Sequence, residues 1–166
     1  MSFEIIHFRD SDKIIKEKNM EKDVNLTMEY IDEVLCGTVH RGELLRQALE
    51  EMDWRDENVD LKILEGRQYR YKGLKNGIAI EGNLNVYEFI LEASLRLQVG
   101  YDKGLIEAGI LMLTSARSEK SHLGTSRDLA IAEIETLHPT ISLPITLVLF
   151  DLGVPHIPNN TEDANE

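Results

Sequence analysis

The sequence predicts one α/β domain, a mixed sheet flanked by helices, and three observations carry that prediction. Asn76-Gly77 separates two strand-like runs, a strong short-range hairpin signal. Residues 105–113 and 141–150 are nearly unbroken apolar runs, as strands covered on both faces are. Apolar residues elsewhere recur at helical spacing. The order hairpin, helix, strand, helix, strand implies right-handed crossovers with a helix on each side of the sheet. A chain of 166 residues is long enough for one compact core and too short for two.

Taken in order, residues 3–8 nearly alternate and suit an edge strand or the start of a helix, while residues 13–22 are charged and poorly periodic. Leu26, Tyr30, Ile31 and Val34 fall at helical spacing. Over residues 41–54, Leu44, Leu45, Ala48, Leu49 and Met52 share one helix face, leaving Glu43, Arg46, Glu50 and Glu51 outside. A two-residue Asn76-Gly77 turn sets Lys75 against Ile78, Lys72 against Glu81, Arg70 against Asn83 and Tyr69 against Leu84. Ile78, Ile80 and Leu84 then face a core with Tyr69 and Tyr71, while Glu81 and Asn83 share a polar face with Lys72 and Arg70.

Asn85 fits an N-cap with Glu88 at the third position, and Gly100 fits a left-handed stop. The helix between them packs Val86, Phe89, Ile90, Ala93 and Leu97 inward, and Glu88, Glu92 and Arg96 read as a solvent-facing ladder. Thr125 or Ser126 caps a helix through Leu137 that ends at His138-Pro139. Pro144 delays pairing in the last strand. Residues 1–153 thus form the domain and 154–166 an acidic tail.

Composition narrows the chemistry. A net charge of −12 and a pI near 4.9 repel phosphate overall, so indiscriminate nucleic-acid binding is excluded. Acid gathers in Glu29, Asp32, Glu33, Glu50, Glu51, Asp53, Asp56, Glu57 and Asp60, whereas Arg117, Lys120, His122 and Arg127 share one polar stretch with serines and threonines. That stretch suits phosphate contacts and base-edge bonds. Cys36 is alone, which excludes an intramolecular disulfide, and it reads as a partly buried small residue. The five histidines lack metal-ligand spacing, and neither a phosphate-binding glycine loop nor a nucleophile elbow is present. No apolar run of about 18 residues occurs, and the N-terminus lacks a secretory layout, so a cytoplasmic protein with no membrane contact is expected.

Residues 78–83, followed by 86–93 and 104–113, resemble the core of a PD-(D/E)XK nuclease, and more closely the type II restriction endonucleases of the Bgl and BstY kind, which read sites with a GATC centre. The likeness extends upstream to the helix ending near Trp54 and downstream to residues 143–150. In that group an Asp stands nine residues before a strand Glu, and Glu-x-Gln or Glu-x-Lys completes the site. Here Glu81 is kept, Asn83 follows, and Lys72 stands where the Asp is expected.

The resemblance implies a restriction-endonuclease-like protein directed at duplex DNA, a homodimer astride a palindrome, contacting DNA through the stretch that holds Arg117, Lys120, His122 and Arg127. Metal-dependent cleavage needs a hard cation held by oxygen ligands, usually two carboxylates. With Lys72 in the Asp position, cleavage is expected to be weakened or lost, and a Lys72–Glu81 ion pair to form. In an active form Glu81 would hold magnesium and Asn83 would position water, with Glu65, Asp60, Glu88 or Glu92 as the second acid. The alternative is a non-catalytic module of the same fold that binds a protein through its acidic surface.

Overall fold

A computed structural model describes residues 2–84, 90–115 and 124–153. Among them the order is β1 (Phe3–Phe8), α1 (Ser11–Glu17), α2 (Glu21–Leu35), α3 (Arg41–Glu51), β2 (Gly73–Lys75), β3 (Ile78–Asn83), α4 (Ile90–Asp102), β4 (Ala108–Thr114), α5 (Arg127–Thr136) and β5 (Ile145–Phe150). The strands form one mixed sheet in the order β1-β5-β4-β3-β2. β3, β4 and β5 run parallel, and antiparallel β2 and β1 close the edges. The mixed α/β architecture agrees with the sequence, as does the edge strand at residues 3–8. β5 begins at Ile145, directly after Pro144, whose missing N–H cannot join a ladder.

The helices do not fall one on each side. One core cluster, including Met28, Leu49, Trp54, Ile80 and Phe150, lies with α2 and α3. The other, including Leu97, Leu111, Ile134 and Leu147, holds both α4 and α5. The reason is topological: β3, β4 and β5 succeed one another in a single direction across the sheet, so two right-handed crossovers put both helices on one face. The opposite face is left for the N-terminal helices.

The hairpin departs from simple counting at one residue. Asn76 and Gly77 both have positive φ, 49° and 77°, as a two-residue primed turn requires. Lys75 faces Ile78, Leu74 faces Ala79 and Gly73 faces Ile80. There the ladder stops. The Lys72 amide donates to the carbonyl of Ile80, which Gly73 already faces, so two residues of one strand address one of the other. This bulge inverts the facing of what precedes it. Tyr71 therefore enters the core beneath α4 instead of joining Ile78 and Ile80. Residues 69–71 pair with 61–63: Arg70 bridges Lys62, not Asn83, and Tyr69 is exposed.

Gly100 lies inside α4 and is not its stop; Gly104, with φ of 73°, follows the helix end. A Cβ on Gly100 would lie 1.6 Å from the Tyr71 hydroxyl, so glycine makes room for the phenol to cross the helix. Cys36 is exposed, not partly buried, because it follows the last turn of α2 as the chain leaves the core. Ser126 caps α5 as expected, accepting from the Leu129 amide at 3.2 Å. Asn85, Val86, Glu88 and Phe89 lie outside the described residues, as does 154–166. No helix among the described residues is long and apolar enough to cross a membrane.

Arg41, at the start of α3, joins the ends of two strands. Its side chain is buried, with Nη1 donating to the Leu84 carbonyl at 2.8 Å and Nη2 to the Gly153 carbonyl at 2.9 Å. These carbonyls follow β3 and β5, the strands flanking β4. Charge-assisted bonds in a buried setting are costly to delete, so Arg41→Met should lower unfolding free energy by roughly 2–4 kcal/mol. Urea denaturation of the two proteins measures it, and a loss within a few tenths would deny Arg41 this role.

Candidate functional site

Glu81 is carried on the interior strand β3, and its side chain is 1% exposed. A strand covered on both faces gives a carboxylate no route to water, and this one points toward α4. There Arg96 Nη2 donates to Glu81 Oε2 at 3.0 Å. The predicted solvent ladder of Glu92 and Arg96 is therefore incorrect for Arg96, whose guanidinium turns inward. The position of Arg96 is itself fixed: the Tyr71 hydroxyl donates to its backbone carbonyl at 3.2 Å. Strand, bulged hairpin and helix thus converge on one ion pair.

Next in the strand, Gly82 has φ of 127°, and a Cβ there would lie 2.0 Å from the Met112 carbonyl oxygen. Only glycine permits β3 to pass β4 so closely. Asn83 closes the strand, exposed and in register with Leu113.

The ionisation of the site follows its burial. Burial raises the Glu81 pKa above the usual carboxylate value, against the lowering effects of the Arg96 bond and charge, the Gly82 amide and the Lys72 charge. Tyr71 is pushed up to about 12, first by burial and then by the charge of Glu81. Lys72 is exposed and near enough for its charge to act at Glu81, but the ion pair expected between them is replaced by Arg96–Glu81. Glu81 Oε1 is buried without a hydrogen-bond partner.

This donor set does not fit a divalent cation. Magnesium asks for several hard oxygens in octahedral array, and here one carboxylate is engaged by a guanidinium with a lysine nearby. Among the described residues no group of three or more His, Cys, Asp or Glu side chains is arranged to hold a metal. Of the alternative acids, Asp60 accepts from the Lys62 amide at 3.0 Å, Glu65 and Glu92 are exposed, and Glu88 is outside the described residues.

Arg127, the first residue of α5, donates from Nε to Glu4 Oε1 at 2.8 Å and also pairs with Asp128. Glu4 aligns across β5 and β4 with Asn83, three strand spacings or roughly 14 Å away. Arg127 and Asn83 therefore share the carboxyl end of the parallel strands, a common place for ligand sites in open α/β sheets. Arg117, Lys120 and His122 lie outside the described residues. The flanks of their segment are held together by the Thr125 amide donating to the Thr114 carbonyl at 2.9 Å and by a Ser115–Thr125 bridge.

Sequence reasoning missed Arg96. Its signal was present: Arg96 borders the buried stripe of Ala93 and Leu97, where an arginine can reach a strand carboxylate. The four-residue spacing from Glu92 suggested a surface pair instead.

No protein family model matches the chain, and no curated protein matches it. Solved structures do. The crystal structure of restriction endonuclease BglII complexed with a DNA 16-mer matches with a TM-score of 0.64 and 13% identity, over 91% of this chain and 77% of that one. Free BglII matches with a TM-score of 0.61 and 15% identity, over 90% and 79%. The likeness shows the fold: the chain has the restriction-endonuclease-like α/β fold that BglII has.

A pH experiment tests the account of Glu81. Its folded pKa lies above the unfolded value, so its stabilising contribution is full below the unfolded carboxylate pKa and is lost as pH rises through the folded one. Unfolding free energy of wild type minus that of Glu81→Gln should therefore fall as pH climbs from about 4 and level off above the folded pKa. A difference that grows with pH would show that Arg96 outweighs burial.

Proposed function

We propose that this chain is a restriction-endonuclease-like protein directed at duplex DNA, whose cleavage chemistry has been lost. The observation that carries this reading is the Arg96–Glu81 ion pair, half-buried through its fully buried carboxylate, on the strand position that the fold's nucleases would use for metal. Lys72 in place of the expected Asp supports it from the sequence side, and a cation now stands at each end of what would be the ligand pair. The structural likeness to an endonuclease solved with DNA supports a DNA-directed role. Arg117, Lys120, His122 and Arg127 are the proposed contacts, with Asn83 at the same end of the sheet as Arg127. Magnesium has no part in this reading.

The protein would act as a homodimer, since two-fold protein symmetry matches a palindromic site.

A cleavage and binding assay on mixed-sequence duplex DNA tests the proposal. The protein should bind duplex at low salt, with affinity falling steeply as salt rises, and should leave the DNA intact in millimolar magnesium. Magnesium-dependent cutting that disappears in Glu81→Ala would overturn the loss of catalysis. Absence of duplex binding at low salt would favour the protein-binding module with its acidic surface.

A further inference from the structure

We infer that Arg96 takes over the cation's place at Glu81 and binds a DNA backbone phosphate without a metal, an inference that rests on the DNA-directed reading above. The argument is one of orientation and access. Glu81 is 1% exposed and Arg96 34%, so the carboxylate anchors a guanidinium that still reaches solvent. One of the guanidinium's donors is spent on Glu81; among the described residues its Nη1 and Nε groups meet no protein acceptor. The Tyr71 bond to the Arg96 carbonyl fixes the backbone from which the side chain springs.

A guanidinium tethered through one Nη2 hydrogen keeps a two-donor fork free, which matches the paired oxygens of a phosphate. Exposed Lys72 adds a second positive charge nearby. With Glu81 charged, the trio of Glu81, Arg96 and Lys72 is net positive by one. Glu92 lines the same surface groove as Arg96 and subtracts from this field. It is solvated and unanchored, whereas Arg96 is held in place. Arg96 thus joins the buried carboxylate to the phosphate with hydrogen bonds and a charge that chelators cannot remove.

The test uses fluorescence anisotropy of a short duplex with the full chain. Wild-type affinity should be the same in chelator and in millimolar magnesium at matched ionic strength. Glu81→Gln, which leaves the guanidinium with a neutral partner, should bind at least as tightly as wild type. The double variant Glu81→Gln/Arg96→Gln keeps both net charge and an amide pair inside the fold. It should weaken binding roughly tenfold or more and lower the salt slope by about 0.9. If wild type binds duplex but the double variant matches it in affinity and slope, this inference fails while the DNA-directed reading stands. Binding that needs magnesium and is lost in Glu81→Gln would also overturn it. Failure of wild type to bind duplex would remove the reading on which both rest. Arg96→Lys is the third variant: it should fall between wild type and the double variant, because an ammonium keeps the charge without the fork.

Discussion

Every residue of β4 and β5, and all of β3 up to Asn83, is buried, and this coverage of both sheet faces governs the rest of the molecule. A polar side chain on such a strand has no water to turn to, so each must find a partner in the packing layer above it. Thr146 on β5 meets Ser11 of α1 at 2.9 Å and His7 of β1 at the same distance. Glu81 on β3 meets Arg96 of α4. Beside the sheet, Gln98 of α4 accepts from the Ser142 and Leu143 amides at 2.8 and 2.9 Å, fixing the entry to β5. The polar contacts of the interior are therefore also the joints that hold helices over strands.

Among these joints the Glu81–Arg96 pair is the expensive one. Burying an ion pair sacrifices hydration that mutual attraction restores only in good geometry, and well-packed apolar residues at such positions are often equally stable or better. Glu81 has one oxygen bonded and one without a partner, and burial dominates its ionisation. Hydrophobic packing explains why Leu97 and Ala93 face the sheet, but it gives no reason for a carboxylate between Ile80 and Gly82. The phosphate-binding role proposed for Arg96 would give one. Arg96 follows as its complement, because an uncompensated charge there would cost more than the pair.

The sequence made much of this fold legible and the site only half so. Strong local signals survived: the Asn76-Gly77 turn, the Ser126 cap and the delay imposed by Pro144 each reflect stereochemistry confined to a few residues. Errors arose where one residue shifts everything beyond it. The bulge at Lys72 and Gly73 inverts facing, so Tyr71 moved to the opposite layer and Arg70 to a different partner, although the three pairs nearest the turn were in register. Helix sidedness failed because it depends on strand order, which no local pattern records. Glu81 could be picked out as the strand carboxylate, but its partner lies 15 residues away on another element. Helical spacing alone linked Arg96 to Glu92.

The same geometry separates what holds the fold together from what cleavage would need. The close passage of Gly82 past Met112, the Tyr71 phenol across Gly100 and the Arg41 tie between strand ends are demands of packing, and they hold whether or not a metal is bound. Cleavage asks for more: a second carboxylate within reach of the first, and space for a cation between them. On the proposed reading, Lys72 in the place of the expected Asp lacks the charge that would recruit a cation, and Arg96 satisfies Glu81 instead. Lys72 and Arg96 leave the packing contacts of Gly82, Tyr71 and Arg41 in place. Fold and function are separable in principle, because the contacts of Gly82, Tyr71 and Arg41 are made by residues other than those a cleavage site would use.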